Sequence, residues 1–148
     1  MTLKTICNRE VLIAQKSDTV VIAAKLMREY HAGNLVVIEE RNGLRYPVGI
    51  VTDRDIVIEL IAKEVDIHSV TLGDIMYREI IVAKENDDVN DTIKIMRQKG
   101  IRRLPVVDNS GALVGIVTMD DLIDLIAEQL KDIAGLIGKE QNLEKKYR

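Results

Sequence analysis

The hydrophobic and polar positions of this chain follow one pattern that occurs twice. Three short apolar runs in the first copy predict strands, at 11–14, 35–38 and 46–51. Apolar residues within 20–27 recur at i, i+3, i+4 and i+7, which predicts a helix capped by Ser17 or Asp18. A second helix is predicted from Asp53 to about Lys63. Each copy therefore has the pattern β-α-β-β-α.

The second copy is offset from the first by 69 residues at its start and by 66 at its end. Glu79 corresponds to Glu10, and Gly115 corresponds to Gly49. The first copy thus holds three extra residues between 39 and 47, where an Asn-Gly pair predicts a lengthened hairpin turn. The second copy predicts strands at 80–82, 104–107 and 113–117, a helix capped by Asp87 or Asp88, a turn at 108–111 and a long last helix.

The repeat predicts the fold class. One copy of about 60 residues buries too little surface to be comfortably stable, so the two copies are expected to share a core. We predict an α+β (mixed α/β) fold in which two tandem repeats pack sheet to sheet. The predicted segments are a first domain at 1–67, a second at 68–127 and a C-terminal helical extension at 128–148, with a linker at 66–70.

Composition excludes several classes of protein. The 148 residues carry a formal charge of −3 and include no Trp or Phe, which argues against nucleic-acid binding. No apolar run is long enough to cross a membrane, and the N-terminus lacks the apolar stretch of a signal peptide. The single cysteine, Cys7, fits a reducing cytoplasm and a structural thiol. His31 and His68 have no ligand spacing with Cys7, so no metal site is expected.

The end of each repeat carries the most informative chemistry. Thr52 and Asp55, like Thr118 and Asp121, lie three residues apart where an apolar strand leads into a helix. This spacing suits a capping box, in which the two side chains bond backbone N–H groups at the helix start. It also suits a ligand, because a carboxylate can accept hydrogen bonds from both hydroxyls of a ribose. The spacing alone fits both interpretations.

Two β-α-β-β-α units that each close in Gly-Ile-Val-Thr-x-x-Asp resemble a pair of cystathionine β-synthase (CBS) domains, often called a Bateman module. The lead-in at 71–76 and the second-strand motif at 100–108 also resemble those of this family, and the likeness covers residues 1–127. The resemblance implies a non-enzymatic regulatory module that binds adenosine-containing ligands such as AMP, ADP, ATP, NAD or S-adenosylmethionine. It further implies a homodimer, a regulated protein partner and no required cofactor. The alternative is a ligand-independent scaffold for protein interaction or dimerisation.

The resemblance also implies roles for individual residues. The two Thr-x-x-Asp pairs would hold ribose, and Arg102 and Arg103 would hold phosphate. Gly33 and Asn34 replace this arginine pair in the first copy. We therefore expect two unequal sites, of which the site built on Thr118 and Asp121 binds nucleotide better. Adenine would lie against Val11, Leu12, Ile13, Ile80, Ile81, Val82 and Ile101, while His31, Arg28 or Arg54 would compensate in the first site.

The last helix is predicted to be longer than its counterpart in the first repeat. Leu122, Ile126, Leu130, Ile133 and Ile137 recur at spacings of three and four and predict a narrow apolar seam. Two glycines, at 135 and 138, weaken the helix, and the charged residues at 140–148 are expected to fray. The seam fits three roles: docking on its own domain, contact with a second copy, or docking of a partner protein.

Overall fold

The repeated pattern folds into two three-stranded sheets. A computed structural model describes residues 1–147. The first repeat contains α1 (Leu3–Ile6), β1 (Ile13–Gln15), α2 (Val20–Tyr30), β2 (Asn34–Arg41), β3 (Leu44–Thr52) and α3 (Asp53–Asp55), which continues as a π-helical segment, Ile56–Ile61. The second contains α4 (Leu72–Ile75), β4 (Ala83–Lys84), α5 (Val89–Lys99), β5 (Arg103–Val107), β6 (Leu113–Thr118) and α6 (Met119–Tyr147).

Both sheets have the same topology. In each, the first strand runs parallel to the second, and the second pairs antiparallel with the third. Val36, Ile38 and Ile116 are buried together between the sheets, and Ile13 packs against them. The predicted mixed α/β fold, with two repeats packed sheet to sheet and a long C-terminal helix, is confirmed.

The first strand of each repeat begins later than its apolar run predicts. β1 starts at Ile13 rather than Val11, and β4 starts at Ala83 rather than Ile80. The residues upstream are bonded to the other repeat, since Asn8 pairs with Ile116 and Tyr77 pairs with Ile50. The chain joins its own sheet only after it has left the neighbouring one.

The caps of the two long internal helices differ slightly from the prediction. The Thr19 hydroxyl accepts the Ile22 N–H at 3.2 Å and caps α2, so the predicted cap at Ser17 or Asp18 is wrong by one residue. The Asp18 carboxylate instead accepts the Gln15 N–H at 2.8 Å. The second helix, α5, is capped by Asp88, as predicted.

The two hairpin turns follow their sequence signals. Asn42 and Gly43 have φ of 53° and 77°, the left-handed pair that a two-residue turn between twisted strands requires. β2 and β3 extend to this turn, so the three extra residues lengthen the hairpin. In the second repeat, Asp108 accepts the N–H groups of Ser110 and Ala112. A hydrogen bond from the Ser110 hydroxyl helps to hold the pKa of Asp108 below its ordinary value.

The repeats exchange the short helices that precede their first strands. Leu3 of α1 is fully buried in the core of the second repeat, and Leu72 of α4 is fully buried in the core of the first. The Leu3 N–H donates to the Asp87 carbonyl at 3.0 Å, and the Leu72 N–H donates to the Asp18 carbonyl at 2.9 Å. Each hydrophobic core therefore depends on a segment of the other repeat.

Two glycines make room for this exchange. A Cβ built on Gly49 would lie 2.5 Å from the sulfur of Met76, just beyond α4. A Cβ built on Gly115 would lie 2.8 Å from the sulfur of Cys7, just beyond α1. Cys7 is half-buried at this contact. The glycine of each Gly-Ile-Val-Thr motif thus admits the incoming lead-in segment.

The last helix, α6, continues to Tyr147 without a break. Leu122 is buried against the second repeat, and the helix then extends past it with exposed side chains. The expectation that residues 140–148 fray is wrong as far as Tyr147, because this segment is rich in good helix formers such as Gln, Leu, Glu and Lys. Arg148 lies outside the described residues.

We predict that Gly115→Ala destabilises the fold by about 1–3 kcal/mol, because the new methyl group overpacks the contact with Cys7. The measurement is the urea midpoint and slope of equilibrium unfolding. Gly135→Ala is the matched control and should be neutral or stabilising, since apart from the adjoining backbone of its own helix no described atom lies within 4 Å of a Cβ built there. Equal stability of the two variants would contradict the proposed role of Gly115.

Candidate functional site

Two clefts related by the internal repeat lie where the sheets meet. The Arg103 cleft encloses about 470 Å³ and is lined by Ile50, Tyr77, Glu79, Ile80, Ile81, Lys99, Ile101 and Arg103. The Tyr30 cleft encloses about 620 Å³ and is lined by Asn8, Glu10, Val11, Leu12, Leu26, Tyr30, Ala32, Asn34, Ile116 and Thr118. Several of these residues occupy equivalent positions in the two repeats.

Each cleft is built from both repeats. In the Tyr30 cleft, Val11 and Leu12 come from the first repeat and Thr118 from the second. In the Arg103 cleft, Ile80 and Ile81 come from the second repeat and Ile50 from the first. Thr52 lies two residues after Ile50 on the same face of β3. A molecule in either cleft would therefore contact both repeats at once.

Backbone pairing between the repeats fixes this arrangement. Asn8 and Ile116 exchange two hydrogen bonds of 2.9 Å. Tyr77 and Ile50 do the same, at 3.0 and 3.4 Å. These bridges carry the segment before each first strand alongside the last strand of the other repeat, so the two form opposite sides of one cleft.

The structure corrects the pairing of site residues expected from the sequence. Arg103 was expected to serve the site built on Thr118 and Asp121, yet it lines the cleft that contains Ile50. Thr118 lines the other cleft, together with Asn34. Arg103 is the cross-strand partner of Thr118, so it lies at the boundary between the clefts. The expectation failed because it assigned each site to a single repeat.

The two clefts differ in charge. Among the described residues, the Arg103 cleft is lined by the cations Lys99 and Arg103 and one acid, Glu79, whereas the Tyr30 cleft is lined by one acid, Glu10, and no cation. Tyr30 and Asn34 occupy the positions that correspond to Lys99 and Arg103. The sequence prediction did not include Lys99, although its place in the last helical turn before Gly100 brings it close to Arg103.

The two Thr-x-x-Asp junctions are not equivalent. Thr52 and Asp55 form a complete capping box: the Asp55 N–H donates to the Thr52 hydroxyl at 3.1 Å, and the Thr52 N–H donates to the Asp55 carboxylate at 3.0 Å. In the second repeat, the Asp121 N–H donates to the Thr118 hydroxyl at 3.1 Å. Within residues 1–147, no hydrogen bond occupies the Asp121 carboxylate.

Asp121 lies beside the Tyr30 cleft in an adjoining groove of about 690 Å³. Asn8 lines both spaces, so the groove and the cleft meet there. Asp124, Glu128 and Lys131 of α6 line the same groove. The half-buried Asp121 carboxylate therefore borders a groove that shares the side chain of Asn8 with the cleft.

Several predicted site residues lie outside both clefts. Arg102 is exposed, and its carbonyl accepts the Met119 N–H at 2.8 Å. Ile13 packs between the sheets rather than facing a cleft. The expectation that the following exposed residues line a site is not met in this structure: Arg28, His31, Arg54 and Val82. Their positions in sequence brought them near the motifs, but their side chains are directed to solvent.

A protein-family model for the CBS domain matches residues 3–62 and 72–128, which cover both repeats. The chain belongs to the CBS domain family. The two matched segments are the two β-α-β-β-α repeats of the structure, and they include both clefts and both Thr-x-x-Asp junctions.

Relatives of this CBS domain pair occur alone and within larger proteins. An uncharacterised protein of Methanopyrus kandleri is 38% identical over 120 residues, which span 81% of this chain and 60% of that protein. Hypoxic response protein 1 of Mycobacterium tuberculosis is 32% identical over 121 residues, 82% of each chain. Inosine-5′-monophosphate dehydrogenase of Thermoplasma acidophilum is 34% identical over 120 residues, but these make up only 22% of the enzyme.

Solved structures have the same architecture. One is a CBS domain pair in complex with 5′-methylthioadenosine and S-adenosyl-L-methionine, with a TM-score of 0.74 and 28% identity over 87% of this chain and 98% of that one. Another is hypoxic response protein 1 with two coordinated zinc ions, with a TM-score of 0.71 and 31% identity over 84% and 98%. In the described part of this chain, no group of three or more His, Cys, Asp or Glu residues could hold a metal ion.

We predict that Asp55→Ala costs about 1 kcal/mol more in unfolding free energy than Asp121→Ala. Both substitutions remove an acid from the first turn of a helix, so their effects on the helix dipole are matched. Only Asp55 also loses a hydrogen bond, which comes from the Thr52 N–H. Urea denaturation of the two variants gives the comparison, and a larger loss for Asp121→Ala would contradict this assignment.

Proposed function

We propose that this CBS domain pair is a non-enzymatic regulatory module that binds adenosine-containing ligands in its two clefts. The observation that carries the proposal is the construction of each cleft from both repeats, with apolar strand residues on one side and the end of a Thr-bearing strand on the other. The related CBS pair with 5′-methylthioadenosine and S-adenosyl-L-methionine supports the ligand class. No cofactor is required for this role.

The apolar part of each cleft suits a nucleobase. Ile80, Ile81 and Ile101 line one cleft, and Val11 and Leu12 line the other. Aliphatic side chains can cover both faces of a planar base, and nearby strand backbone can read its polar edge. The base would thus be held without an aromatic platform, which suits a chain that contains no Trp or Phe.

The polar part of each cleft suits the ribose. Thr118 lines the Tyr30 cleft, and the Asp121 carboxylate is available for a vicinal diol. Asp55 would have to exchange its bond from the Thr52 N–H, or share its second oxygen, to make the same contact. A ribose at the Asp121 junction would therefore displace less internal bonding.

Charge gives the two clefts different preferences. Arg103 and Lys99 provide a guanidinium and an ammonium for phosphate oxygens in the Arg103 cleft. Glu10 in the Tyr30 cleft opposes an anion and favours an adenosine ligand without phosphate, such as 5′-methylthioadenosine, or a sulfonium cation. Two unequal sites are thus expected, and the phosphate-binding site is the cleft formed with β3 of the first repeat.

Regulation would follow from the shared clefts. A ligand that contacts both repeats stabilises the arrangement in which they are apposed, by about 2.7 kcal/mol at a concentration of 100 times Kd. The state with bound ligand would present a different surface to a regulated protein only if the ligand binds the two states with different affinity. We propose a homodimer in a reducing cytoplasm as the setting for this response, as expected from the family and the single cysteine.

The second candidate is a scaffold that needs no ligand. The complete Thr52–Asp55 capping box favours it, because this junction already satisfies its own polar groups. Exposed apolar residues after the junction, Val57 and Ile61, also suit a protein contact. Thermal shift with AMP, ATP, NAD, S-adenosylmethionine and 5′-methylthioadenosine separates the candidates, because a scaffold responds to none of them.

We predict that Arg103→Ala weakens AMP binding roughly 10- to 100-fold, since a hydrogen bond between charged groups contributes about 1.5–3 kcal/mol. Adenosine affinity should be nearly unchanged, because adenosine has no phosphate. Isothermal titration calorimetry on both ligands measures the effect.

The matched control is Arg102→Ala, which removes the same charge from an exposed neighbour outside both clefts. It should leave AMP affinity near that of the unmodified protein. If the two variants lost AMP affinity equally, Arg103 would act only through the overall positive charge and not through a direct phosphate contact. Unchanged AMP affinity in both variants would exclude the assignment of phosphate to Arg103.

A further inference from the structure

Beyond its first two turns, the α6 seam is largely uncovered by the rest of the chain that the structure describes, although Ile126 still lines a small cavity beside α5. Ile126, Leu130, Ile133 and Ile137 have 48%, 63%, 58% and 55% of their surface exposed. Leu122 begins the same seam but is buried at 6% exposure against the second repeat. The seam therefore packs on its own domain only within the first two turns of α6. It then continues across about three turns of uncovered helix. We call these four exposed residues the tail seam.

The tail seam has the spacing of a paired helix. Its members alternate by four and three residues, which keeps them on one side of the helix and suits packing against a partner helix. The positions that flank this face are uncharged and include Ala127, Gln129, Ala134 and Leu136. Gly135 and Gly138 lie on the outer side, so they do not interrupt the seam.

Charge along α6 indicates the partner and its direction. Residues 119–132 contain five acidic residues and one lysine, a net charge of −4. Residues 133–147 contain three lysines and two glutamates, a net charge of +1. Two parallel copies would place acidic halves together, whereas two antiparallel copies place each acidic half beside a basic end. The helix dipoles also favour the antiparallel arrangement.

We propose that α6 pairs antiparallel with α6 of a second copy of this chain. In the pairing that we infer, Ile126 packs against Ile137 of the other copy, and Leu130 packs against Ile133. This register fills four consecutive apolar layers and is centred between residues 131 and 132. It also leaves Leu122 free to remain packed on its own repeat.

Disulfide formation tests both the pairing and its direction. In a Cys7→Ser background, Ile126→Cys and Ile137→Cys chains are prepared separately, oxidised alone and oxidised as a mixture. We expect the mixture to give a disulfide-linked dimer that joins the two different variants, identified by mass spectrometry. Cross-linking within each variant alone would overturn the antiparallel arrangement, and failure of all three samples would overturn the pairing.

Oligomeric state supplies the second test, by sedimentation velocity on the full chain. We expect the unmodified protein to be a dimer. The double variant Leu130→Glu/Ile133→Glu should be a monomer with an unchanged circular dichroism spectrum. Gly135→Glu is the control, since it adds one charge of the same sign to the outer side of the helix and should remain a dimer. A monomeric unmodified protein, or a dimer that survives the double substitution, would overturn the proposal and leave adenosine binding unaffected.

Discussion

The reciprocal exchange of α1 and α4 is the contact on which the rest of the structure depends. Leu3 and Leu72 are fully buried in cores that belong to the opposite repeat. Neither repeat can bury its apolar residues without the other, as expected for units of about 60 residues. Gly49 and Gly115 permit the exchange, since any side chain there would overlap the incoming segment.

The clefts follow from the same exchange. After α1 or α4 has packed on the neighbouring repeat, the chain must cross back to its own sheet, and the Asn8–Ile116 and Tyr77–Ile50 bridges hold it on that path. The crossing segments place apolar strand residues of one repeat opposite the last strand of the other. Differences between the copies then make the clefts unequal, most clearly where Asn34 corresponds to Arg103.

Much of the fold was predictable because the apolar spacing, the turn residues and the internal repeat all point to the same elements. The Asn42-Gly43 turn and the Asp88 cap are examples of local signals that the structure confirms. The sequence could not show which repeat supplies each wall of a cleft, because the exchange depends on packing between residues far apart in the chain. The assignment of Arg103 to the same cleft as Thr118 was therefore wrong, and Lys99 was not predicted. Whether these residues bind a ligand stays a prediction.

The central claim is that adenosine ligands bind between the repeats, with phosphate held at Arg103. The most direct measurement is a crystal structure of the protein with AMP at saturating concentration. We predict AMP in the Arg103 cleft, with its base against Ile80 and Ile81 and its phosphate at Arg103. A phosphate held at the Thr118 junction without Arg103, or clefts that remain empty at saturating AMP, would contradict it.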